Sequence, residues 1–238
     1  MQALIMVVVI LAVLGGVLWF TQRRQKINES ALAQLAQSQG WQYQKSYELS
    51  QLGSGNVLRY RLSQGSREDG AWSLDIESGS AGSGAGGSPL QNTTWRSEDV
   101  KLPEGLVLIG PRPKDMPVNF DLGSILMQAA LKVLLHMSLG NEAPDAAHLH
   151  EVKQGSPDLL RQYLVFTTDE GLPRRLMTAD AERALLDLTQ SLKEKQRPAV
   201  VFWTQGLQVK CAGLITDAPN LKRIATLGGA LKTAWSDN

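Results

Sequence analysis

An uninterrupted apolar run, ALIMVVVILAVLGGVLWF from Ala3 to Phe20, constrains this chain more than any other feature. None of its eighteen residues is charged or strongly polar. As a helix it is about 27 Å long, close to the hydrocarbon thickness of a bilayer. Trp19 stands at its end, where an amphipathic ring suits the headgroup region. No basic residue precedes the run and no A-x-A site follows it, so it reads as a retained anchor rather than a cleaved signal. The expected anchor spans residues 1–22, and Ala3, Leu4, Ile5, Val8, Ile10, Leu14, Leu18, Trp19 and Phe20 carry it. Its expected surroundings are the lipid bilayer.

Arg23, Arg24 and Lys26 follow at once. Basic residues beside a span stay on the cytoplasmic side, which predicts the N-terminus outside and residues 21–238 in the cytoplasm. In a bacterium the membrane would be the inner one. A lone Cys211 agrees with a reducing compartment and excludes an intrachain disulfide framework. The 24 Lys+Arg nearly balance 23 Asp+Glu, so charge supplies no reason to expect nucleic acid as a partner.

Beyond the anchor the sequence predicts an α+β fold of short antiparallel strands with three to four helices. Residues 23–40 form a juxtamembrane basic segment and a helix that Gly40 can end. Residues 41–118 are β-rich. Strands are expected at Trp41–Ser46, Asn56–Ser63, Ala71–Glu77, Gln91–Ser97 and Gly105–Gly110, with a Gly/Ser/Ala hairpin loop over residues 78–88. Leu58, Tyr60 and Leu62 alternate with Arg59 and Arg61, the pattern of a half-buried strand. Residues 119–238 are α+β and pack with the β-rich part as one domain. Their expected strands are His148–Val152, Tyr163–Thr168, Ala199–Thr204 and Leu207–Ala212. Helices are expected over Thr178–Lys195 and from Asp217 to the end.

Asp121–Leu139 has helical periodicity, with Ser124, Gln128, Lys132 and His136 as a narrow polar stripe. Leu122, Ile125, Leu126, Ala129, Val133 and Met137 form a face more apolar than a domain of this size readily covers, and are the candidate partner-facing residues. The plain alternative is a central core helix.

Motifs for chemistry are sparse. Gly82–Gly87 has the letters of a dinucleotide fingerprint, but strand-like sequence follows where a helix N-terminus is needed. His136, His148 and His150 are the candidates for a histidine-based metal site, which needs a further ligand. Cys211 in a strand reads as a small buried hydrophobe. The expectation is therefore a non-catalytic accessory, assembly or scaffold subunit of a larger membrane complex, with no cofactor and with other subunits as partners. Two alternatives come from other classes: a membrane-tethered enzyme using those histidines, and a lipid- or ligand-sensing β domain.

Overall fold

The computed structural model describes residue 23 and residues 26–49, 56–65, 71–81, 88–114, 135 and 149–237. Nine strands form one sheet: β1 (Gln42–Leu49), β2 (Asn56–Gln64), β3 (Trp72–Ala81), β4 (Ser88–Ser97), β5 (Leu106–Pro111), β6 (His150–Glu151), β7 (Tyr163–Thr167), β8 (Pro198–Trp203) and β9 (Gly206–Ala212). Their spatial order is β1-β2-β3-β4-β9-β8-β5-β7-β6, and every neighbouring pair is antiparallel. Strand β5 sits between β8 and β7, so strands from both halves of the chain share one sheet.

Five α-helices accompany it among the described residues: α1 (residues 26–39), α2 (Pro157–Gln162), α3 (Gly171–Leu176), α4 (Ala179–Ser191) and α5 (Ala218–Ser236). The fold is thus mixed helix and antiparallel sheet, and two of its five helices, the short α2 and α3, are not expected from the sequence. Six residues are too few to display a 3.6-residue period, which is why α2 and α3 escape a periodicity reading. The signal for α2 lies in its cap. Ser156 accepts a hydrogen bond from the Leu159 amide at 3.2 Å, and Pro157 follows it. The longer helices start where their caps predict, with Thr178 capping α4 and Asp217 accepting from the Asn220 amide at 3.0 Å on α5. Gly40 ends α1 at φ +69°.

Two kinds of strand divide the sheet. In β2 and β3 apolar and polar residues alternate, and in β4 Trp95 is the one apolar residue from Gln91 to Ser97, so only one face is buried in apolar surroundings. On that face Tyr60, Leu62, Leu74, Ile76 and Trp95 join Val209 and the helices in the main core. Helix α5 contributes Leu221, Ile224, Leu227 and Leu231, and α1 contributes Leu32, Leu35 and Ala36. In β5, β7 and β8 the apolar runs are continuous, and both faces are covered. Val107, Ile109, Val165 and Phe202 point into the main core. Leu106, Leu108, Leu164, Phe166, Val201 and Trp203 build a second cluster on the other face.

Leu135 completes that second cluster, helical and 1% exposed. At this residue the apolar stretch of the sequence is core. Leu122, Ile125, Leu126, Ala129, Val133 and Met137 lie outside the described residues.

The Gly/Ser/Ala stretch is strand at both ends. Strand β3 runs on through Ala81, which pairs with Ser88, because a ladder is made by backbone groups and needs no particular side chain.

Candidate interaction face

The second face of the sheet carries the most concentrated polar chemistry. Strict alternation puts Arg59 and Arg61 of β2, Asp75 and Glu77 of β3, Thr94 and Arg96 of β4, and Gln208 and Lys210 of β9 on the side away from the main core. Register then decides which side chains meet. Arg59 stands directly opposite Glu77, and Arg61 opposite Asp75. Arg59 Nη2 lies 2.7 Å from Glu77 Oε1. The Arg61 guanidinium donates two bonds to Asp75, Nε to Oδ1 at 2.6 Å and Nη2 to Oδ2 at 3.0 Å. Bidentate pairs of this kind fix orientation as well as charge.

The same rows continue across β4 into β9. Asp75 faces Thr94, which faces Lys210, and Arg96 faces Gln208. The Arg96–Gln208 row then passes into Val201 on β8 and Leu108 on β5. One face of one sheet thus changes from ion pairs to an apolar cluster over a few strands. Although they lie outside the main core, Asp75 is only 5% exposed and Gln208 2%. Burial holds the Lys210 ammonium below the ordinary lysine range, with Arg96 pushing the same way and Glu77 opposing.

Asp75 and Glu77 are the carboxylates that meet arginines on this face. Both carboxylates are engaged by guanidinium groups, which leaves neither as a free base. Cys211 lies on the other face, fully buried, and burial pushes its thiol up to about 12 from 9.0. A thiol of that kind is not a nucleophile. It is also shielded from oxidants, so it carries no information about the compartment.

The remaining sequence candidates are scattered. His150 lies on β6 with Nε2 3.9 Å from Glu170 Oε1, while His136 and His148 lie outside the described residues. Among the described residues no group of three or more His, Cys, Asp or Glu is placed to hold a metal ion. Gly82–Gly87 lies outside them too, but β4 begins at Ser88 and is strand. A strand, where a dinucleotide fingerprint needs a helix N-terminus, therefore follows that stretch. Arg23 and Lys26 are exposed. Arg24 and the anchor residues Ala3, Leu4, Ile5, Val8, Ile10, Leu14, Leu18, Trp19 and Phe20 lie outside the described residues. No helix among the described residues is long and apolar enough to cross a membrane.

Sequence reasoning placed Arg59 and Arg61 on the polar face of a strand but missed their partners. Asp75, Glu77 and Lys210 alternate with apolar residues in their own strands, and that was the available signal.

No family model matches this chain, and no curated protein matches it. Among solved structures, the crystal structure of the mycobacterial trehalose monomycolate transport factor A, TtfA, is similar at 12% identity and a TM-score of 0.39. The match covers 84% of this chain and 91% of that one.

Proposed function

We propose that this chain is a single-pass membrane-anchored, non-catalytic accessory, assembly or scaffold subunit of a larger membrane protein complex. Residues 1–22 form the anchor, the N-terminus lies outside, and residues 21–238 lie on the cytoplasmic side. The apolar run and the Arg23, Arg24 and Lys26 cluster support that placement.

The observation that carries the reading is the divided second face of the sheet. At one end its carboxylates are locked to arginines across the ladder. At the other end Leu135 helps to close the apolar cluster. The partly exposed Arg59–Glu77 and Arg61–Asp75 pairs, with exposed Arg96 on the same face, offer another surface a charged pattern of fixed register.

The periodicity of residues 121–139 supports a partner beyond Leu135. Leu122, Ile125, Leu126, Ala129, Val133 and Met137 are the residues the sequence nominates as partner-facing.

The test is native purification of the tagged full-length chain in mild detergent, with mass spectrometry of what accompanies it. Stoichiometric membrane subunits are expected. Their yield should fall in Arg96→Glu, which reverses an exposed charge on this face and leaves the Arg59–Glu77 and Arg61–Asp75 pairs in place. A chain that always purifies alone overturns the reading.

A further inference from the structure

Among the described residues two large hydrophobic side chains stand out as exposed, Ile27 at 56% and Tyr47 at 67%. Both occupy one corner of the domain. Ile27 lies in the first turn of α1, two residues before Glu29. Tyr47 lies two residues beyond Lys45 on β1, on the same face of that strand. Lys45 Nζ is 2.6 Å from Glu29 Oε1 and 5.3 Å from the centre of the Tyr47 ring. The ion pair therefore ties the N-terminal part of α1 to the Tyr47 end of β1. Arg23 and Lys26, both exposed, bring further positive charge to the same end of the helix.

The corner has a fixed orientation. Leu32, Leu35 and Ala36 bury α1 against the sheet, and Tyr60 Oη donates to the same Glu29 carboxylate at 3.2 Å. The corner is also where the chain arrives from the apolar run. Phe20 and Ile27 are seven residues apart, a separation of about 10 Å as helix and at most about 25 Å fully extended.

We propose that this corner rests in the headgroup layer of the bilayer that holds residues 3–20. Tyr47 and Ile27 enter the interface, and Arg23 and Lys26 face the lipid phosphates. The chemistry fits that layer: an amphipathic ring, one aliphatic side chain, and basic groups whose stems reach along apolar surface while their heads stay wet. The contact would fix the tilt of the whole domain on the membrane, because α1 is bound to the sheet. The proposal rests on the anchor reading given above.

The experiment uses the full-length chain in nanodiscs of mixed zwitterionic and anionic phospholipid. Ile27→Cys, Tyr47→Cys and, as a reference, Gln64→Cys are each labelled with an environment-sensitive fluorophore. Gln64 is exposed at the opposite end of the β1–β2 pair. Lipids spin-labelled at the headgroup should quench positions 27 and 47 several-fold more than position 64, with blue-shifted emission at the first two. Equal quenching at all three positions overturns the contact while leaving the anchor intact. Failure of the unlabelled full-length chain to float with the lipid overturns both the anchor and the contact.

Discussion

Gly228 on α5 packs so closely against the indole of Trp95 on β4 that a Cβ there would overlap the ring. The missing side chain sets how closely the last helix approaches the sheet. Its neighbour Gly229 has open space where a Cβ would lie, with nothing within 4 Å. Two adjacent glycines in one helix therefore have opposite consequences. Gly228→Ala is expected to destabilise by about 1–3 kcal/mol through overpacking, less any gain in helix propensity. Gly229→Ala is expected to stabilise by about 0.5–1 kcal/mol. Urea unfolding of the two variants checks both signs.

Leu135 packs with Leu108, Phe166 and Trp203 in the second cluster at 1% exposure. Leu135→Ala should cost about 2–5 kcal/mol, as deletion of a buried leucine does elsewhere. Thermal unfolding that matches the wild type would show that this position is not core in solution.

The Arg61–Asp75 pair is bidentate, with Asp75 buried and Arg61 partly open to solvent. Arg61→Ala leaves a buried carboxylate without its main donor, and a loss of about 1–3 kcal/mol is expected. Removing Asp75 as well should recover part of that loss. A double-mutant cycle measures the coupling, and additive losses would mean the pair is not formed.

The buried Cys211 thiol, pushed up to about 12, should resist alkylating and disulfide reagents near pH 8 until the domain unfolds. Its linkage has a definite sign. The folded state holds the proton more tightly than the unfolded chain, whose thiol titrates near 9.0. Stability is therefore unaffected below that value and declines as pH rises from there toward about 12. Cys211→Ala should flatten that alkaline decline.

Asp99 behaves in the opposite sense. Burial works to raise its carboxyl, but hydrogen bonds from Lys232 and Ser97 outweigh it and hold the group below 3.8. Lys232 Nζ on α5 lies 2.5 Å from Asp99 Oδ2, so the pair ties the last helix to the loop after β4. The stabilisation is present above the ordinary carboxylate value and disappears as pH falls from there through the lower folded value. Asp99→Asn should remove that part of the acid dependence in equilibrium unfolding, and an unchanged acid profile would show that the bond contributes nothing.

Much of the secondary structure is visible along the chain because its causes are local. Alternation of Leu58, Tyr60 and Leu62 with Arg59 and Arg61 marks β2, and the continuous apolar run Val200–Trp203 marks a strand covered on both sides. Thr178 and Asp217 mark helix starts through their own side chains. The two six-residue helices were not visible by period, being under two turns long. The candidate face was visible only as separate halves. Arg59 and Glu77 are far apart in sequence, and nothing within either strand states which residue of the other it will face.

The sequence by itself determined the apolar N-terminal run, the charges that follow it, and the alternation that makes each strand one-sided or two-sided, since each depends on neighbouring residues alone. Only the tertiary structure decided that β5 inserts between β8 and β7, that Arg59 meets Glu77 and Arg61 meets Asp75, and that Leu135 is core. Those outcomes depend on strand order and register, where a shift of one residue would turn every side chain to the opposite face.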